Sequence, residues 1–166
     1  MNMGKKYCIS KNIIINARPE QIFRVLADIE NWNQWTPSVK RITIVNDIKF
    51  NKGTKARIVQ PKLLPALWKI TEIEKNKYFT WVTKYIGVKM TGKHIIESKN
   101  NITSVESVMI YEGIFAKLFY RLTSSLTSQY LTMEINGLKK ECENRIRERK
   151  FKLLIKDVGF LTVSEN

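Results

Sequence analysis

The sequence predicts a single α+β domain in which an antiparallel sheet is followed by one long C-terminal helix. Three observations carry this. The 166 residues fit one domain with volume for a sizeable core. From Val39 to Tyr111 apolar residues alternate with a period of two, in runs separated by turn residues. After Gly113 the period lengthens to that of a helix and stays there. With only seven glycines and four prolines, and 43% hydrophobic residues, extensive disorder is excluded.

The elements follow in order. Residues 7–15, YCISKNIII, are rich in β-branched side chains and read as a strand. Asn16 to Glu20 is a break, and Pro19 suits the first turn of a helix, where its missing N–H costs nothing. Ile22, Phe23, Leu26 and Ile29 then recur at helical spacing, which predicts a short amphipathic helix over 19–28. A second short helix is predicted over 30–35, with Trp32 and Trp35 on one side of it and Thr36-Pro37 ending it. Strands are predicted over 39–46, 54–60, 66–74, 78–85, 88–97 and 102–111. Lys52-Gly53, Lys75-Asn76-Lys77, Ile86-Gly87 and Asn100-Asn101 supply turns short enough for an antiparallel meander. The longer connection Pro61-Lys62-Leu63-Leu64-Pro65 carries leucines unusual for a solvated loop.

Leu131, Ile135, Leu138, Cys142 and Ile146 fall at intervals of four, three, four and four, one stripe of a long helix. Its opposite face carries Lys139, Lys140, Glu141, Glu143 and Arg147. The amphipathic stretch 114–126 is either the start of that helix or a separate one. Gly137, inside it, costs roughly 1 kcal/mol relative to alanine and marks a point of close packing. The domain is therefore 1–149. Residues 150–166, with Phe151, Leu153, Leu154, Ile155, Phe160 and Leu161, form an apolar tail that docks on the domain or on a second copy, giving a homodimer.

The net charge of +14 admits a polyanionic partner. Against this, lysine, isoleucine and asparagine make up about a third of the chain, and lysine far outnumbers the arginine that phosphate- and base-reading surfaces favour. The composition therefore argues against nucleic acid. The run Arg145-Arg147-Arg149-Lys150-Lys152 is dispersed around its helix, because residues two apart do not share a face. Cys8 and Cys142 form no CxxC and have no ligand spacing to the single histidine, so neither a metal site nor a cofactor is expected. No secretory leader opens the chain and no apolar run reaches the ~20 residues that span a bilayer. These features point to the cytoplasm, with reduced thiols.

The N-terminal segment IIINARPEQIFRVLADIENWNQWTPSV carries Ala17, Glu20, Phe23, Asp28, Trp32, Trp35 and Pro37. This pattern, with Gly53, Trp68, Trp81, His94 and Gly113 further on, resembles the START-like superfamily, also called SRPBCC or Bet v 1-like. The nearest branch is that of polyketide cyclase/dehydrase and lipid transport proteins. The resemblance covers roughly residues 7–149. It implies a helix-grip fold, a seven-stranded antiparallel sheet wrapped around a long C-terminal helix, with two short helices after the first strand. It also implies a cavity between sheet and helix for an apolar ligand. The tail from residue 150 departs from the family pattern.

Strand parity nominates the lining. Ala56, Ile58 and Gln60 oppose Lys55 and Arg57. Phe79, Trp81 and Tyr85 oppose Thr80 and Lys84. Val88, Met90, Gly92, His94 and Ile96 oppose Lys89, Thr91, Lys93 and Glu97. Val105, Met109 and Tyr111 oppose Glu106. Trp68 and Ile70 share a face, but Ile73 breaks the alternation, which a bulge explains. The candidate ligand-binding residues are thus Ile58, Trp68, Phe79, Trp81, Tyr85, Met90, His94 and Met109 from the sheet. Leu131, Ile135 and Leu138 join them from the helix. Taken singly, each reads first as ordinary core, and the fold class is the reason to expect a cavity.

His94 is the one weak catalytic candidate. It reads as a core histidine, a ligand hydrogen-bonding residue or a general base, and no Asp or Glu at fixed spacing stands beside it. Glu72, Glu74, Glu97 and Glu106 alternate with lysines and offer no glycosidase-like pair. GxSxG, Walker and GxGxxG motifs are absent. Three functions stay open. The first is binding or transport of a small hydrophobic molecule (a lipid, quinone or aromatic polyketide). The second is a polyketide cyclase, aromatase or dehydratase using His94 with Tyr85 or Tyr111. The third is a basic interaction module for an acidic protein, a membrane or nucleic acid.

Overall fold

The computed structural model describes residues 5–161. The chain runs β1 (Tyr7–Ile15), α1 (Pro19–Ala27), a 3-10 helix η1 (Ile29–Gln34), then β2 (Arg41–Ile44), β3 (Lys55–Val59), β4 (Ala66–Glu74), β5 (Tyr78–Tyr85), β6 (Val88–Lys99) and β7 (Ile102–Glu112). It ends in α2 (Ala116–Leu161). All seven strands form one antiparallel sheet in the order β1-β7-β6-β5-β4-β3-β2. Six strands form the meander, and β1 closes it by pairing with the last, Tyr7 opposite Tyr111 and Ile15 opposite Thr103. This is the helix-grip architecture.

Local chemistry explains the joints. Asn100 and Asn101 both take positive φ (52° and 63°), so the β6–β7 hairpin turns in two residues of a type that tolerates this backbone. The parity break in β4 is a register shift between Ile70 and Glu72. In α1, Ile22, Phe23, Val25 and Leu26 are buried, and the Arg18 N–H donates to Gln21 Oε1 at 2.9 Å. Trp32 of η1 is buried and its indole N–H donates to the Leu26 carbonyl at 3.0 Å, which fixes the two short helices to one another.

Residues 114–126 do not form a separate helix: α2 is continuous for 46 residues, about 70 Å at 1.5 Å per residue. Lys139 donates to the Ile14 carbonyl at 2.7 Å and Glu143 accepts from the Asn16 N–H at 3.1 Å, so both clamp α2 to the end of β1. Gly137 is a point of close packing, because a Cβ there would lie 2.1 Å from the Trp35 carbonyl oxygen. The segment read as a tail from residue 150 continues α2, and Phe151, Leu153, Leu154 and Ile155 are exposed on it. The side chains of Phe160 and Leu161, and all of residues 162–166, lie outside the described residues. No helix among the described residues is long and apolar enough to cross a membrane.

The interior divides along α2. Leu138 and Cys142 join α1, η1 and the sheet in a packed core with Ile15, Ile70, Phe79 and Val105. Towards the helix start, Thr127, Tyr130, Leu131 and Glu134 instead face a cavity.

Candidate functional site

The cavity holds about 70 Å³. Trp32, Trp68 and Trp81 form its aromatic wall, with Trp81 5.4 Å from each of the other two rings. Pairing register sets two rows across the sheet. Trp81 lies opposite Gly92, which lies opposite Met109. Phe79 lies opposite His94, which lies opposite Ser107. Gly92 is needed in the first row, since a Cβ there would sit 2.3 Å from Trp81 Nε1. The missing side chain lets the indole lie across β6.

The second row holds the polar centre. His94 Nε2 lies 2.8 Å from Glu134 Oε1, and the Ser107 hydroxyl donates to the same oxygen at 2.9 Å. His94 is 3% exposed, Ser107 0% and Glu134 9%. A buried carboxylate is tolerable only with such donors. With Glu134 as the carboxylate, Nε2 is the donor in this contact. His94 Nδ1 is buried without a hydrogen-bond partner. The imidazole stacks on Phe79 at 4.4 Å and meets Trp32 edge-on at 5.3 Å, so its plane is fixed. A carboxylate that orients one nitrogen leaves the other able to accept a proton or a hydrogen bond.

The β3–β4 loop closes one side. Gln60 and Leu63 line the cavity, while Leu64 is 83% exposed. The Tyr130 hydroxyl donates to the Pro61 carbonyl and ties the loop to α2, and burial pushes the Tyr130 phenol above its usual range. Lys62 within the loop takes a positive φ of 60°.

Seven of the sequence-nominated residues line this cavity: Ile58, Trp68, Trp81, Met90, His94, Met109 and Leu131. Four do not. Phe79, Ile135 and Leu138 are buried elsewhere; Phe79 lies behind the His94 ring and Leu138 is in the packed core. Tyr85 has the expected parity but sits at the strand end, 39% exposed and stacked on Phe119 at 6.0 Å. Tyr111 is fully buried and hydrogen-bonded to Thr127 at 2.7 Å. The expectation that His94 lacks a carboxylate is corrected by Glu134. Glu134 falls three residues after Leu131 and four before Leu138, so a single acid inside the apolar stripe was the available signal. Trp32, Leu63, Thr127 and Tyr130 were likewise not nominated, whereas parity places Gln60 on the inward face. No cluster of His, Cys, Asp or Glu that could hold a metal occurs among the described residues.

Residues 7–143 match the family described as polyketide cyclase / dehydrase and lipid transport. No curated protein matches the chain in sequence. Among solved structures, the chain is similar to the Zhui aromatase/cyclase from Streptomyces sp. R1128, with a TM-score of 0.70 and 12% identity over 86% of this chain and 96% of that one. It is similar to norcoclaurine synthase from Thalictrum flavum, solved with dopamine and hydroxybenzaldehyde, at 0.68 and 12% identity over 86% and 89%. It is also similar to a START superfamily protein from Mycobacterium smegmatis, at 0.63 and 15% identity over 81% and 97%. At these identities the likeness is one of fold.

Proposed function

The chain belongs to the polyketide cyclase/dehydrase and lipid transport family, and on that premise we propose that it binds a small, largely apolar molecule bearing one polar group in the cavity beneath α2. The observation that carries this is the pairing of an aromatic wall with one carboxylate-held imidazole whose Nδ1 has no partner. An apolar site with a few convergent polar groups is the usual form of a small-molecule pocket. The ligand's body would pack on Trp68, Trp81, Met90 and Met109. Its polar end would donate a hydrogen bond to His94 Nδ1.

The cavity of about 70 Å³ is well below the roughly 300 Å³ at which ligand pockets begin. Binding therefore requires the 60–65 loop to swing out, carrying Leu63 from the cavity and breaking the Tyr130–Pro61 bond. Native mass spectrometry of gently purified protein, followed by release under denaturing conditions, tests the reading. A co-purifying apolar species near one-to-one occupancy is expected, and Trp81→Ala or Met90→Ala reduces that occupancy. Bare protein that also shows no thermal shift with lipids, quinones or aromatic polyketides contradicts it.

The Glu134–His94 pair favours a second reading, a cyclase- or aromatase-like enzyme. There His94 Nδ1 takes a proton from the bound substrate and Glu134 stabilises the resulting imidazolium. His94→Gln separates the two readings. Loss of turnover with retained binding supports the enzyme, whereas loss of binding alone supports the carrier.

A further inference from the structure

The chain is rich in lysine and holds only eight arginines, yet four of them line one groove. Arg18 caps the start of α1 and Arg24 lies in its last turn. Arg145 and Arg149, one turn apart, face them from α2. The groove encloses about 160 Å³ over a floor that includes Val25, Cys142 and Ile146, and it is separate from the cavity beneath the sheet. The run read in sequence as dispersed thus divides in space. Arg145 and Arg149 turn to α1, while Arg147 and Lys150 lie along a different face with Phe151 and Leu154.

Four guanidinium groups around one groove repel unless anions balance them. Arg145 pairs with Glu141 at 2.6 Å. Among the described residues no carboxylate forms an ion pair with Arg18, Arg24 or Arg149. Glu20 is the one acid lining the groove. The first turn of α1, at Arg18–Gln21, adds the positive end of a helix dipole. The guanidinium fork matches phosphate oxygens two at a time, which a lysine cannot do.

We propose that this groove binds the phosphate group of a ligand. The phosphate can belong to a free small molecule or to a lipid headgroup. The second source suits the surroundings. Beyond Arg149 the stripe continues through Lys152 and Lys156 at helical spacing, and Phe151, Leu154 and Ile155 are exposed on the other side.

The test titrates the full chain with inorganic phosphate and glycerol phosphate by calorimetry. In parallel it sediments the protein with phosphatidylcholine vesicles made with and without phosphatidic acid. The double variant Arg18→Gln/Arg149→Gln should weaken whichever binding is found by about tenfold, the loss expected for one or two charged hydrogen bonds. A charge-matched control, Lys55→Gln/Lys69→Gln on the outer face of the sheet, should leave it unchanged. All four positions are exposed, so both variants should keep the native circular dichroism spectrum. Saturable binding of soluble phosphate assigns the free source. Binding only to vesicles containing phosphatidic acid assigns the headgroup. No binding in either arm, or equal weakening by both double variants, overturns the proposal, since only the net charge of +14 would then be at work.

Discussion

At the scale of single residues, Glu134 decides most. It accepts from both Ser107 and His94 in the interior. Glu134→Ala should cost about 1–3 kcal/mol by leaving two buried donors unpaired, read as a lowered urea midpoint. An unchanged midpoint would mean that the pair is not formed in solution. Burial also pushes the Cys142 thiol up to about 12, whereas Cys8 is exposed. The thiolate is the reactive form, so native protein at mildly alkaline pH should alkylate at Cys8 alone. Cys142 should react only after denaturation, and two fast thiols would contradict its burial. Glu112 accepts from Lys6 at 2.8 Å and Lys89 at 2.9 Å, and these bonds hold its carboxyl below the usual range. A lowered folded value gives stability that is present above the unfolded value near 4.5 and lost as pH falls through the folded one. Glu112→Gln should therefore cost up to about 1 kcal/mol at neutral pH, a difference that closes in acid. Parity made His94 legible from the sequence. Its carboxylate was not, because the pairing spans forty residues between a strand and a helix, and only the tertiary fold sets that distance.

Elements were the most legible scale. β1, β4 and β5 occupy the spans that periodicity predicts, and the bulge in β4 follows from the misplaced Ile73. The unity of α2 was not legible, because 114–126 and 131–146 are each amphipathic and nothing between them distinguishes a bend from a continuation. The leucines at 63 and 64 signalled an unusual loop, but their opposite fates, one lining the cavity and one exposed, depend on the latch from Tyr130. Gly137→Ala tests the seat of α2. Alanine improves helix propensity by roughly 1 kcal/mol. Its Cβ would however meet the Trp35 carbonyl, a backbone atom that cannot swing aside. A net loss of stability is expected, and a gain would show that α2 and η1 are not in contact there. Tyr130→Phe removes the latch and should speed exchange of any bound molecule, measured by stopped-flow tryptophan fluorescence. Unchanged rates would mean that the loop does not gate the cavity.

For the whole molecule, fold and family follow from one sheet closed by β1 and gripped by α2, and residues 7–143 fall within the family. The high positive charge is one feature that composition could not interpret: twenty-nine cations are dispersed along the chain, and only folding gathers four arginines at one groove. The central claim concerns the interior. Native mass spectrometry with release of bound material tests it most directly. The account predicts an apolar molecule with a hydrogen-bond donor, near one per chain, whose occupancy falls in His94→Ala and Trp81→Ala. Bare protein, stable and unshifted by any lipid, quinone or aromatic polyketide, would mean that the space between sheet and helix is only core, and the claim would be wrong.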